Sequence, residues 1–132
     1  EQIKAMNLSD YVTLKGKQPR EYIYEHICDY NLYVQPSRIE GFGLTVAEAM
    51  AAKVPVLISD NPGPMQIIAN GKYGYYFESD SVDGCVNAIE HILDNYPTKE
   101  FIDSAYHYVL SYFSIESTAR KYVALYEDIL KK

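Results

Sequence analysis

Apolar and polar positions alternate along this chain in two rhythms, and the switch between them marks out the elements. Tyr11-Val12-Thr13-Leu14-Lys15 is β-branched and aromatic and runs into Gly16, which predicts a short strand. Leu32-Tyr33-Val34-Gln35, stopped by Pro36-Ser37, predicts a second. The apolar run from Val54 to Ile58 predicts a third, suited to burial on both faces. Gly74-Tyr75-Tyr76-Phe77 predicts a fourth.

Between these runs the spacing becomes helical. Pro19 opens a helix of roughly ten residues on which Tyr22, Ile23, His26 and Ile27 share a face. Residues 44–52 form another, and a short helical stretch follows the turn Asn61-Pro62-Gly63-Pro64, near Met65 to Ala69. Three helices finish the chain, over 81–95, 98–113 and 115–131. Ser79 or Ser81, Thr98 and Ser114 stand at their starts, with Ser114 capping the last. Strand and helix alternate through the first two thirds. That order predicts an α/β fold, a parallel sheet of about four strands covered by helices.

Composition narrows the function classes. The 132 residues suffice for one domain and not two, with 48% hydrophobic and 23% charged positions. A net charge of −6 argues against a nucleic-acid binder, which needs a basic face. No apolar run reaches the ~18 residues of a membrane span, and a cytoplasmic protein is expected. Cys28 and Cys85 fall at apolar helix positions far apart in sequence and are expected as reduced core thiols. The chain opens on Glu1 rather than Met, with Ile3 and Met6 spaced as at the end of a helix. A piece of a longer protein is therefore expected.

The segment from Glu40 to Met50 carries the chemistry. Its loop leaves a strand and enters a helix, so it lies on the edge where open α/β sheets bind ligands. Gly41 and Gly43 lack a Cβ and permit positive φ and close approach of a ligand. The free amides of residues 43–45, reinforced by the helix dipole, would face an anion. Glu48 is the only charge among Leu44, Val46, Ala47, Ala49, Met50, Ala51 and Ala52, so it is expected to be buried. A buried carboxylate costs several kcal/mol unless hydrogen bonds satisfy it, and a ribose diol would do so. A salt bridge to a neighbouring element is the other reading. Glu40 stands at the helix mouth, where it is either solvated or in contact with sugar hydroxyls.

The run Glu40-Gly41-Phe42-Gly43-Leu44 through Glu48-Ala49-Met50 resembles the E-x7-E motif of retaining, nucleotide-sugar-dependent glycosyltransferases of the GT-B fold, the group 1 glycosyl transferases. Similarity extends to Gln35-Pro36-Ser37, Val54-Pro55-Val56, Ser59-Asp60, the stretch from Gly71 to Phe77 and the terminal helices, so it covers nearly the whole chain. The part it looks like is the latter portion of the C-terminal, donor-binding Rossmann-like domain.

The resemblance implies roles residue by residue. Glu40 is the catalytic candidate, in contact with the transferred sugar. Gly41, Phe42, Gly43 and Leu44 bring backbone to sugar and phosphate, Thr45 adds a diphosphate contact, and Glu48 holds the ribose. Lys17 and Gln18 border the nucleobase. The donor is a nucleoside-diphosphate sugar, with no cofactor and no metal site. The acceptor, a glycan, lipid or polysaccharide precursor, would be held by an N-terminal domain not in this chain. The full-length protein is expected in the cytoplasm or at the inner face of the membrane.

Departures from the pattern matter as well. Gln66 stands where a glutamate is common, and the family's Arg and Lys phosphate clamp falls upstream of Glu1. Arg38, Lys53 and Lys72 are nearby cations that read mainly as surface charges. The isolated chain is expected to be inactive. With the strand order 3-2-1-4-5-6, the strands at 11–15 and 32–35 would be third and fourth, their intervening neighbours absent. Either they meet in a contracted sheet, or a partner covers the gap, for example in a homodimer through exposed edges. A GT-B-like scaffold that has lost catalysis is the alternative function. A related phosphorylase fits less well, because nothing resembles a covalent cofactor lysine site.

Overall fold

The computed structural model describes residues 1–131. Three parallel strands, β1 (Tyr33–Gln35), β2 (Val56–Ser59) and β3 (Tyr75–Phe77), form one sheet in the order β1-β2-β3. Tyr33 is paired with Val56, Gln35 with Ile58, and Ser59 with Phe77. Helices α1 (Gln2–Ala5) and α2 (Arg20–His26) precede the sheet, α3 (Leu44–Ala51) joins β1 to β2, and α4 (Pro62–Ile67) joins β2 to β3. Helices α5 (Val82–Asp94), α6 (Lys99–Phe113) and α7 (Ile115–Leu130) close the chain.

Strand β2 explains why the sheet sits where it does. All four of its residues are buried, and successive side chains point to opposite faces. Val56 and Ile58 join Val46, Ala49, Met50, Ile67, Ile68, Ala105 and Val109 in the larger core, which α3, α4 and α6 build on one face. Leu57 points the other way, into a smaller core with Phe77 and Ile92 beneath α5. The three long helices begin at side-chain caps. Ser81 accepts from the Gly84 amide, Thr98 from that of Phe101, and Ser114 from that of Ser117.

Three expectations need correction. Residues 11–15 form no strand, so the sheet has three strands rather than four. Tyr11 and Leu14 are more than four-fifths exposed, and the amides of Tyr11 and Val12 turn back onto Leu8. A β-rich sequence without a hydrogen-bonded neighbour has no ladder to join, so propensity alone does not make it a strand. Consequently the contracted pairing with β1 does not occur, and the outer edge of β1 has no strand beside it among the described residues. Cys28 lies on the surface in the single 3-10 turn after α2, not in the core, while Cys85 is half-buried; both are free thiols. The helix expected near 65–69 starts earlier, because Pro62 suits the first helical position behind Asn61.

The terminal helix is amphipathic but bare. Ser117 is its one buried residue, whereas Tyr122, Val123, Leu125, Tyr126 and Ile129 are more than half exposed.

Candidate functional site

The carboxyl ends of the three strands release the loops 36–43, 60–61 and 78–81 along one edge, and polar side chains tie these loops together. The Ser59 hydroxyl donates to the Ser37 carbonyl at 2.5 Å, and the Asn61 amide donates to the same oxygen at 2.7 Å and to Ser59 Oγ at 2.9 Å. Asp60 Oδ1 accepts from the Ser79 amide at 2.8 Å and from its hydroxyl at 2.6 Å, which holds the Asp60 carboxyl below the usual range. The edge is thus a fixed platform although most of its backbone is irregular.

On this platform the Glu40 loop meets α3. Gly43 is the N-cap and adopts φ +88°, a left-handed conformation that a residue with a Cβ reaches only at a cost. Gly41, expected to share that freedom, does not use it. No side chain caps α3. The amides of Gly43, Leu44 and Thr45 make no backbone hydrogen bond and stand at the positive end of the helix dipole, with Leu44 and Thr45 exposed and Gly43 buried. The Phe42 amide instead reaches Glu40 Oε1, at 3.4 Å. The Phe42 ring is turned away, edge-on against Phe113 of α6 at 6.0 Å, and Leu44 is mostly exposed.

Glu40 is half-buried and held from behind. Gln35, at the end of β1, donates from Nε2 to Glu40 Oε2 at 2.9 Å. Gln35 Oε1 in turn accepts from the Thr45 hydroxyl at 3.0 Å and lies 3.0 Å from the Tyr33 hydroxyl, which is 2.8 Å from Thr45 Oγ1. Burial pushes the Tyr33 phenol above its ordinary value. The Thr45 bond partly offsets this, and the charges of Glu40 and Glu48 add to the upward push. Tyr33 is therefore the neighbour that the two glutamates share. The Thr45 hydroxyl, expected toward phosphate, faces this network.

Glu48 departs from the expectation of burial, because its side chain is 27% exposed. Its Oε1 accepts from Arg20 Nη2 at 3.3 Å and from the Tyr24 hydroxyl at 3.4 Å, both on α2. The salt-bridge reading thus describes the unliganded carboxylate. Glu48 lines a groove of about 290 Å³ with Arg20, Leu44, Ala47, Phe113 and Ile115, and Glu40 is not part of that groove. Glu40 stands before the start of α3 and Glu48 one turn inside it, each with its own hydrogen-bond partners.

Of the remaining predicted residues, Lys53 and Lys72 precede β2 and β3, at the amino ends of the strands and away from this edge. Gln18 lines a second cavity of about 260 Å³ with Lys15, Tyr22, His26 and Tyr33, and Tyr33 connects that cavity to the Gln35 network. Lys17 is exposed and outside it. Arg38 pairs with Asp80 at 2.6 Å, Lys53 with Asp103 at 2.6 Å, and Lys72 lies over the Tyr73 ring at 5.2 Å, which accords with surface roles. Gln66 is exposed, and its carbonyl accepts from Tyr108. Among the described residues no group of three or more His, Cys, Asp or Glu side chains is placed to hold a metal ion, and no helix is long and apolar enough to cross a membrane.

Sequence reasoning missed Gln35, Tyr33, Arg20 and Tyr24. For Gln35 a signal existed, a polar residue ending a strand that is otherwise apolar. For Arg20 and Tyr24 it was weaker, one turn apart on α2, with the guanidinium 5.1 Å from the ring centre. Their distance from Glu48 in sequence, 28 and 24 positions, hides the contact.

A parallel sheet covered by helices, with an uncapped helix and a held carboxylate at its carboxyl edge, is the arrangement of a Rossmann-like α/β domain. Residues 1–107 match the family glycosyl transferases group 1, and the chain belongs to that family, whose fold is GT-B. It is 32% identical over 129 residues to the lipopolysaccharide core biosynthesis mannosyltransferase LpcC of Rhizobium leguminosarum bv. viciae, across 97% of this chain and 36% of that protein. It is 34% identical over 96 residues to a probable sucrose-phosphate synthase of Thermosipho melanesiensis, across 73% of this chain and 22% of that protein. The solved sucrose-phosphate synthase from Thermosynechococcus elongatus superimposes with a TM-score of 0.84 at 28% identity, over 98% of this chain and 33% of that one. The chain spans roughly a fifth to a third of the length of these relatives.

Proposed function

We propose that the intact protein transfers a hexosyl group from a nucleoside-diphosphate sugar to a glycan, lipid or polysaccharide-precursor acceptor with retention of configuration, and that this chain supplies part of the donor site. The observation that carries the reading is the entrance of α3, where three amides without a backbone partner stand beside a carboxylate fixed at 2.9 Å by Gln35. Amides and helix dipole suit the diphosphate, and they would stabilise the charge that grows on it as the glycosidic bond breaks. Glu40 would bind hydroxyls of the departing sugar. Glu48 would accept from the ribose diol once Arg20 and Tyr24 give way or share its second oxygen. In this reading the chain is the later part of a C-terminal donor domain, an N-terminal domain brings the acceptor, and the protein works in the cytoplasm or at the inner membrane face. No cofactor is assigned.

Glu40→Gln and Glu48→Gln in the intact protein test it. Each is expected to lower sugar transfer by orders of magnitude, read as release of nucleoside diphosphate across a panel of donors. Near-normal turnover in both variants sinks the proposal. A second reading, donor binding without transfer, draws on the Arg20 and Tyr24 contacts that occupy Glu48. A donor that binds to the intact protein and is never turned over would favour it.

A further inference from the structure

Gln35 is a buried polar side chain behind the candidate site, only 8% exposed, at the last position of an edge strand. Its amide could present either end to Glu40. The carboxylate decides which, because it only accepts: the NH₂ must face Glu40 Oε2, which leaves Gln35 Oε1 to accept from Thr45, and Tyr33 can donate to Thr45 in turn. Donors thus run in one direction, Tyr33 to Thr45 to Gln35 to Glu40.

We propose that Gln35 is a positioning residue for sugar transfer, and that its amide, braced from behind by Thr45 and Tyr33, aims the Glu40 carboxylate at the donor sugar. This rests on the assignment of Glu40 to the sugar. The loop that carries Glu40 is irregular, and Ile39 just before it is 92% exposed, so the loop's backbone alone does not fix the carboxylate. The 2.9 Å bond ties it to the sheet, and a charge-assisted bond of this kind is both shorter and stronger than a neutral one. Because Oε2 is taken from behind and the Phe42 amide is a long 3.4 Å from Oε1, Oε1 is the freer oxygen for a sugar hydroxyl. Small misplacement of such a group lowers the chemical step more than it weakens binding.

A double-mutant cycle in the intact protein tests this, with Gln35→Met, Glu40→Gln and the pair. Gln35→Met removes the N–H at similar volume. It is expected to lower kcat by about ten- to a hundred-fold with donor KM within about three-fold. In the Glu40→Gln background the same change is expected to matter by less than about two-fold, because Gln35 acts only through that carboxylate. Gln35→Glu keeps the shape and the Thr45 contact but sets an acceptor against Glu40, so it reproduces the loss and carries the test should Gln35→Met not fold. Losses that multiply in the double variant would show Gln35 to be a core polar residue and overturn the proposal. A Glu40→Gln variant with full turnover would instead remove the assignment of Glu40 itself.

Discussion

A Cβ placed on Gly63 would lie 2.1 Å from the carbonyl oxygen of Gly41. The first turn of α4 and the loop that carries Glu40 are thus in backbone contact, and only glycine permits it. Gly63 is buried, and Phe42 Cα is also within 3 Å of that Cβ, so the neighbours are main chain and cannot rotate away. Gly63→Ala must push the loop outward. A loss of stability of about 1–3 kcal/mol is expected from the overlap. Transfer should fall further than unfolding explains, because Glu40 moves with the loop. Melting temperature and turnover measured together check this, and full activity with an unchanged Tm would show that the loop relaxes freely.

The Arg20–Glu48 pair should contribute little to the fold. Arg20 is 72% exposed, the separation is 3.3 Å, and such pairs are screened by salt and offset by side-chain entropy. Arg20→Ala is expected to leave the Tm unchanged at physiological salt. A clear drop that deepens at low salt would show instead that the pair anchors α2 onto α3.

Two carboxylates contribute to the acid limb of stability. The Ser79 hydroxyl and amide hold Asp60 below its ordinary value of 3.8, and Lys53 does the same to Asp103. In the unfolded chain both protonate near that ordinary value, so the unfolded state takes up protons first as pH falls. Their stabilisation is complete above pH 3.8 and disappears as pH drops through the lower folded values. Asp60→Asn and Asp103→Asn should each lower the Tm at neutral pH and flatten its decline in acid. A thermal scan against pH reads this directly, and curves parallel to the parent's would contradict it.

What could be read from sequence followed the range of the interaction. Helix boundaries at Ser81, Thr98 and Ser114 depend on neighbours a few residues away, and they were legible. The apolar run ending at Ile58 announced a doubly buried strand, and the glycine before Leu44 announced the turn into α3. The strand expected at 11–15 failed because a strand is a relation between segments, and no segment lies beside it. Glu48 failed for a related reason. Counting apolar residues around it in sequence implied burial, but Leu44 and Ala51 face outward and the carboxylate meets α2 instead. Gln35 shows the converse: its type was visible, while its partners Tyr33, Glu40 and Thr45 converge only once β1, the loop and α3 are assembled.

The network behind Glu40 is redundant at its far end, and that yields the last prediction. Gln35 Oε1 lies 3.0 Å from both the Tyr33 and the Thr45 hydroxyls. Tyr33→Phe leaves Thr45 as donor, and Thr45→Val leaves Tyr33, so each single variant keeps the amide braced and should retain kcat within about three-fold. Removing both hydroxyls leaves Gln35 Oε1 without a side-chain donor. The amide is then held only by its bond to Glu40 and can swing with the carboxylate, so neither is fixed in place. The double variant should approach the loss of Gln35→Met, far beyond the product of the singles. Donor KM separates this from a phosphate contact by Thr45, which would raise KM in Thr45→Val alone. Effects that multiply from singles to double would show that the hydroxyls do not brace the amide as a unit.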